Sequence, residues 1–179
     1  MRLKFILSVS FIILSYGFAD HLVVPGHLTD WNVLQESDVW VGWTMKDDIQ
    51  WCRSEKILPF EMEHISHIIE DKENYPNVFK RIEDTTILAP DVVHISLDMP
   101  FPFAGRDYIV NYVSNKTDTE NTYTFTAYDE IKVPERKNYV RLINAGGRWT
   151  VIPHGNGKTK VTYTWNGELR GDFPDWALE

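Results

Sequence analysis

At 179 residues, with 18 basic against 26 acidic side chains and a formal net charge of −8, the chain is one domain's worth of acidic protein. That balance, with no basic stripe, excludes a nucleic-acid partner, because phosphate binding draws on clustered cations. It also excludes general adhesion to anionic lipid and leaves room only for local, transient membrane contact. The single cysteine, Cys52, excludes an internal disulfide and reads as a small buried strand residue.

In chain order, Arg2 and Lys4 precede an apolar run from Phe5 to Tyr16, and Gly17-Phe18-Ala19 offers small residues at a cleavage point. The run is shorter than the ~20 residues a spanning helix needs. Residues 1–19 therefore read as a secretory signal peptide, and the expected location is outside the cytoplasm, periplasmic or secreted. Residues 20–179 make the functional domain. Asp20 to Thr29 is an unpatterned, mobile lead-in. Asp30 is placed to cap a short helix over Trp31 to Glu36. Val39, Val41, Trp43 and Met45 then alternate with Trp40, Gly42 and Thr44 as a strand. Lys46-Asp47-Asp48 turns into a second strand through Ile49, Trp51 and Arg53.

Pro59 suits the first position of a helix, with Met62, Ile65 and Ile69 on one face. Tyr75 to Phe79 reads as a second short helix. The remainder is strand: Val93 to Met99, Tyr108 to Val113, Tyr123 to Ala127, Tyr139 to Ile143, Trp149 to Ile152 and Lys160 to Trp165. Helix, two strands, helices and then about six antiparallel strands make an α+β fold. A curved antiparallel sheet with one apolar face and only partial helical cover leaves an interior space.

Four sequence segments carry a resemblance. They are Arg106-Asp107-Tyr108, Tyr139-Val140-Arg141, Gly146-Gly147-Arg148-Trp149 with the Pro153 to Tyr163 run, and Gly171-Asp172-Phe173-Pro174-Asp175-Trp176. In that order and spacing the chain resembles the steroidogenic acute regulatory protein-related lipid transfer (START) domain, in the Bet v 1-like, helix-grip superfamily. The resemblance runs from about Trp31 to Leu178. It implies a tunnel between the sheet and a C-terminal helix, occupied by a sterol, phospholipid or other apolar molecule. Sterol-binding members tend to carry arginine where this chain has Tyr112. The chain ends at Glu179, where the resemblance places the lid helix, so the expectation is a fold lacking part or all of that helix.

The expected ligand-binding residues are Tyr108, Val110 and Tyr112, facing inward together by alternation, with Phe125 and Trp149 as apolar wall. Tyr112 or Arg141 orients one polar end of the guest, and Arg141 reads equally as a structural salt-bridge residue. Ile131 and Val133, among Lys132, Arg136 and Lys137, form a candidate membrane-contact loop. His64 and His67 invite a metal reading, but they lie opposite the apolar helix face and read as solvated. His94 reads as a core or surface histidine rather than a general base. Gly146-Gly147 and Gly155-x-Gly157 read as hairpin turns, and Ser114 to Asn121 as a polar one. No nucleophile elbow, phosphate loop or dinucleotide fingerprint is present, so no catalytic residue, metal or cofactor is expected. The expected function is noncovalent binding, and transfer, of a lipid or similar apolar molecule by a monomer. The alternatives are a polyketide cyclase or hydrolase on the same fold and an interaction module completed by a partner.

Overall fold

The computed structural model describes residues 22–166. The expected leader over residues 1–19, the Gly171 to Trp176 segment and the lid helix fall outside the described residues. Ten strands form one sheet: β1 Asn32–Glu36, β2 Trp40–Lys46, β3 Ile49–Leu58, β4 Ile82–Ala89, β5 Val92–Leu97, β6 Gly105–Lys116, β7 Asn121–Ala127, β8 Tyr139–Arg141, β9 Gly146–Pro153 and β10 Thr159–Asn166. Their spatial order is β1-β2-β3-β10-β9-β7-β6-β5-β4, with β8 beside β6. Helices α1 (Met62–Glu70) and α2 (Tyr75–Val78), joined by a 3-10 turn over Lys72–Asn74, lie on one face, the inner face.

Alternation sorts the side chains. On β6, Tyr108, Val110 and Tyr112 join the inner core, whereas Asp107 and Ile109 point to the outer face. Ile65 and Ile69 of α1 pack into that inner core with Val93, Ile95, Tyr123, Phe125 and Val151. His64 and His67 are exposed, His64 stacking on Phe60 at 5.3 Å and His67 facing Glu63 at 3.7 Å. The helix begins three residues later than Pro59 predicts, with Glu61 as its cap residue.

The lead-in is not loose. Val24 and Leu28 pack on the buried Trp51 of β3, forming a second, smaller core on the outer face with Leu22, Trp31 and Ile49. Nor is Asn32–Glu36 helical. Asp30 takes a left-handed turn (φ 56°), and the segment then pairs with β2. Tertiary hydrogen bonding to an available sheet edge overrides the capping signal. β4 escapes the sequence pattern because its pairing with β5 shifts twice, at Ile82/Asp84 and Ile87/Ala89, and each shift breaks the period of two. β8 pairs parallel to β6, where an antiparallel strand was expected.

Gly155 and Gly157 do make the β9–β10 turn, both at positive φ. Gly146 and Gly147 do not turn; they open β9. Gly147 is required by crowding, since a Cβ there would lie 2.5 Å from the Thr164 carbonyl oxygen and 2.6 Å from the Phe125 ring. Gly147→Ala is therefore expected to cost about 1–3 kcal/mol by overpacking. Urea unfolding should show a lower midpoint at unchanged slope.

Candidate functional site

The inner face of β6, β7, β9 and β10 is an aromatic wall. Hairpin register places Tyr163 opposite Trp149, and their rings stack with centroids 4.0 Å apart. Tyr163 also stacks on Trp165 at 4.8 Å and on Phe125 at 6.2 Å, and Phe125 meets Tyr112 at 5.5 Å. From the helical side Phe79 approaches Trp149 at 5.7 Å, and Tyr75 meets Phe79 edge-on at 5.0 Å. Rigid ring surface is thus continuous from α2 across four strands.

Five of the expected ligand residues come together here. Val110, Tyr112 and Phe125 are buried, while Tyr108 and Trp149 are half-buried. Sequence reading counted Trp165 with Trp40, Trp43, Trp51 and Trp149 as tryptophans that are core or line a cavity, but did not single out Tyr163, Tyr75, Phe79 or Lys72 for this site. Tyr163 was within reach: counting outward from the Gly155–Gly157 turn sets it against Trp149. Phe79 and Lys72 come from the short connection between helix and sheet, which carries no periodic signal.

The phenols on this wall stay neutral. Burial pushes the Tyr108, Tyr112 and Tyr163 hydroxyls up, and for the latter two the neighbouring phenols push them further. Tyr112 hydrogen-bonds Tyr75, whose hydroxyl donates to the Ile69 carbonyl at 2.5 Å. Although Tyr108, Trp149, Tyr163 and Trp165 project from the inner face, each keeps partial accessibility. Among the described residues, the two helices and their connecting turn leave these four rings partly accessible.

Arg141 is not part of this wall. It lies on the outer face and grips Asp107, Nε donating to Oδ1 at 3.0 Å and Nη2 to Oδ2 at 2.7 Å. Its remaining reach goes to the loop that follows β7, where Nη1 donates to the Val133 carbonyl at 3.4 Å and Nη2 to that of Pro134 at 3.5 Å. Of the two roles the sequence leaves open, this geometry is that of the structural salt bridge. His94 Nε2 completes the cluster, donating to Asp107 Oδ2 at 2.7 Å. Ser96 sits opposite Asp107 in the β5–β6 register, but its buried hydroxyl has no hydrogen-bond partner and so makes no bond to His94.

Ile131 and Val133 are half-buried rather than projecting. Ile131 lines an outer cleft of about 310 Å³ with Ile109, Leu142, Ile143 and the Arg141 stem. Among its neighbours in the loop, Lys132, Arg136 and Lys137 are exposed, and Arg136 stacks over Tyr139 at 4.3 Å.

Burial alone would raise the Asp107 carboxyl; the hydrogen bonds from Arg141 and His94 outweigh it and hold the group below its usual range. A carboxyl depressed on folding stabilises fully above its unfolded value of about 4, and that contribution is lost as pH falls through the folded value. Asp107→Asn is expected to cost about 3 kcal/mol at neutral pH, since removing one partner of a buried pair strands the other. Urea titrations at a series of pH values should also show a shallower acid fall in stability for the variant than for the wild type.

No protein-family model matches the chain. Among curated proteins, an uncharacterised protein of Pseudomonas aeruginosa is 34% identical over 80 residues, which is 45% of this chain and 40% of that one. Rho GTPase-activating protein 7 of Rattus norvegicus is 31% identical over 77 residues, 42% of this chain and 7% of that one. The match thus spans less than half the length of either relative. Among solved structures, the STAR-related lipid transfer protein of Xanthomonas axonopodis aligns with TM-score 0.69 at 19% identity, covering 82% of this chain and 86% of the other. Human STARD10 aligns with TM-score 0.72 at 17% identity, covering 90% and 75%. A Streptomyces aromatase/cyclase aligns with TM-score 0.51 at 12% identity, covering 69% and 70%. The chain therefore has the START lipid-transfer, helix-grip fold, and that fold also carries enzymes.

Proposed function

We propose that this protein binds a lipid or other apolar small molecule, without covalent change, against the aromatic wall of the inner face, and carries it. The observation that supports this most is the partial accessibility of Trp149, Tyr163, Trp165 and Tyr108 on the face that also holds the core. Large rings left partly accessible on an inner surface gain by being covered further. Each 100 Å² of apolar surface that a guest removes from water is worth about 2.5 kcal/mol, and the rigid rings lose little entropy in making the contact. The Xanthomonas neighbour named for lipid transfer shares this architecture, which favours a guest of the same broad class here.

A carrier fits the chemistry better than a catalyst. The acid–base pair brought together by folding, His94 and Asp107, faces away from the wall, and Arg141 occupies both carboxylate oxygens of Asp107. The inner wall presents neutral phenols and indoles, groups suited to holding rather than to transferring protons.

The test uses an uncharged fluorescent rod, 1,6-diphenylhexatriene, titrated with protein. Wild type is expected to take it up with a rise in emission. Trp149→Ser, which removes the ring between Phe79 and Tyr163, should weaken uptake about tenfold, the equivalent of one lost aromatic contact of ~1.4 kcal/mol. Wild-type protein that gives no emission rise, and that native mass spectrometry shows to be free of apolar adducts, would remove the reading.

A further inference from the structure

Where the 3-10 turn crosses the inner face, Lys72 places its ammonium 4.7 Å from the centroid of the Tyr112 ring. Other cations of the molecule reach carboxylates: Lys116 to Glu70 at 2.7 Å, Lys160 to Glu55 at 2.7 Å, Lys56 to Asp38 at 2.5 Å and Arg141 to Asp107 at 2.7 Å. Lys72 differs. Among the described residues no carboxylate lies at ion-pair distance from it, and no hydrogen bond uses its three N–H donors. Glu70 and Asp91 act on it only through space, and Glu70 is already taken by Lys116 and the Tyr123 hydroxyl.

The surroundings of this ammonium offer it little else. The Tyr112 hydroxyl is engaged with Tyr75, and the Tyr75 hydroxyl with the Ile69 carbonyl. Lys72 is half-buried, and burial lowers its pKa, so the charged form is under-solvated where it stands. An anion brought to this point would restore what burial removes. From the Tyr112 ring the aromatic wall runs on through Phe125, Tyr163 and Trp149.

Resting on the carrier reading above, we propose that Lys72 is the polar anchor of the inner site and that the guest is an amphiphile with an anionic head, a carboxylate or a phosphate. The head sits at Lys72 beside Tyr112, and the hydrocarbon lies along the half-buried rings of Tyr163 and Trp149. Lys72 is then a specificity-determining residue: it selects head-group charge, while the wall accepts any apolar chain of suitable length.

Three ligands with one chain and different heads separate the terms: dodecanoate, dodecyl phosphate and dodecanol, each titrated calorimetrically below its aggregation limit. Wild type is expected to bind at least one of the two anions about tenfold more tightly than the alcohol, the gain of one charge-assisted hydrogen bond. The preferred anion identifies the head. Lys72→Met should bring that anion to the level of dodecanol while leaving dodecanol and the urea midpoint unchanged. Lys72→Arg, which keeps the charge, should retain the preference. Equal affinity for all three in wild type, or a preference that survives in Lys72→Met, overturns the anchor and leaves the apolar guest standing. If none of the three binds, the carrier reading falls together with the anchor.

Discussion

β6 cannot slip. Its side chains alternate between two buried environments of opposite character, so a shift of one residue would trade Tyr108, Val110 and Tyr112 for Asp107, Ile109 and Asn111. That would drive a carboxylate into the aromatic core. It would also strip Arg141 and His94 of their acceptor, leaving buried charge on both faces. The pairing of Asp107 with β5 and β8 therefore does more than add contact energy. It makes every register but one very costly, and the inner wall inherits its alignment from that single choice, through Tyr112 opposite Phe125 and Tyr123 opposite Trp149.

The same clamp divides labour between the faces. Polar strength is concentrated outside, where Arg141 spans β8, β6 and the carbonyls of the following loop. A second outer feature, the Leu22–Leu28 segment, packs on Trp51 of β3 and reaches the cleft beside Arg141 through Leu22. With stability supplied from the outer side and by α1, the inner surface need not be closed completely. A domain that drew its whole stability from the inner core would have to fill it, since uncovered apolar surface and voids are both costly.

Much of this was legible in the chain. The inward set on β6, the β2–β3 turn, the Gly155–Gly157 turn and the apolar face of α1 follow from period and turn chemistry alone, because each is a local property. The unreadable parts depend on partners distant in sequence. Asn32–Glu36 became a strand because β2 offered an edge. β4 lost its alternation to two register shifts. Gly146 and Gly147 looked like a turn, yet Gly147 is set by Phe125 and the Thr164 carbonyl, both far along the chain. For the site, residue type pointed to Arg141 as a candidate orienting group, but only folding shows that its donors are spent on Asp107 and the loop. Lys72, a half-buried cation without an ion pair among the described residues, sits in a three-residue turn with nothing in the local sequence to mark it.

A wall of stacked rings and a lone ammonium differ in what they can discriminate. Against an apolar surface, one methylene more or less changes binding by only ~1–3 kcal/mol, so chain length and branching are weakly sorted. Rings held at 4.0–6.2 Å from one another are also too rigid to close around each guest individually. A polar end faces a harsher test. An uncharged head placed beside Lys72 leaves a half-buried cation no better solvated than before, whereas an anion satisfies both partners at once. Selectivity in such a site comes from the head and capacity from the wall, and a carrier built this way accepts many chains while distinguishing sharply among head groups.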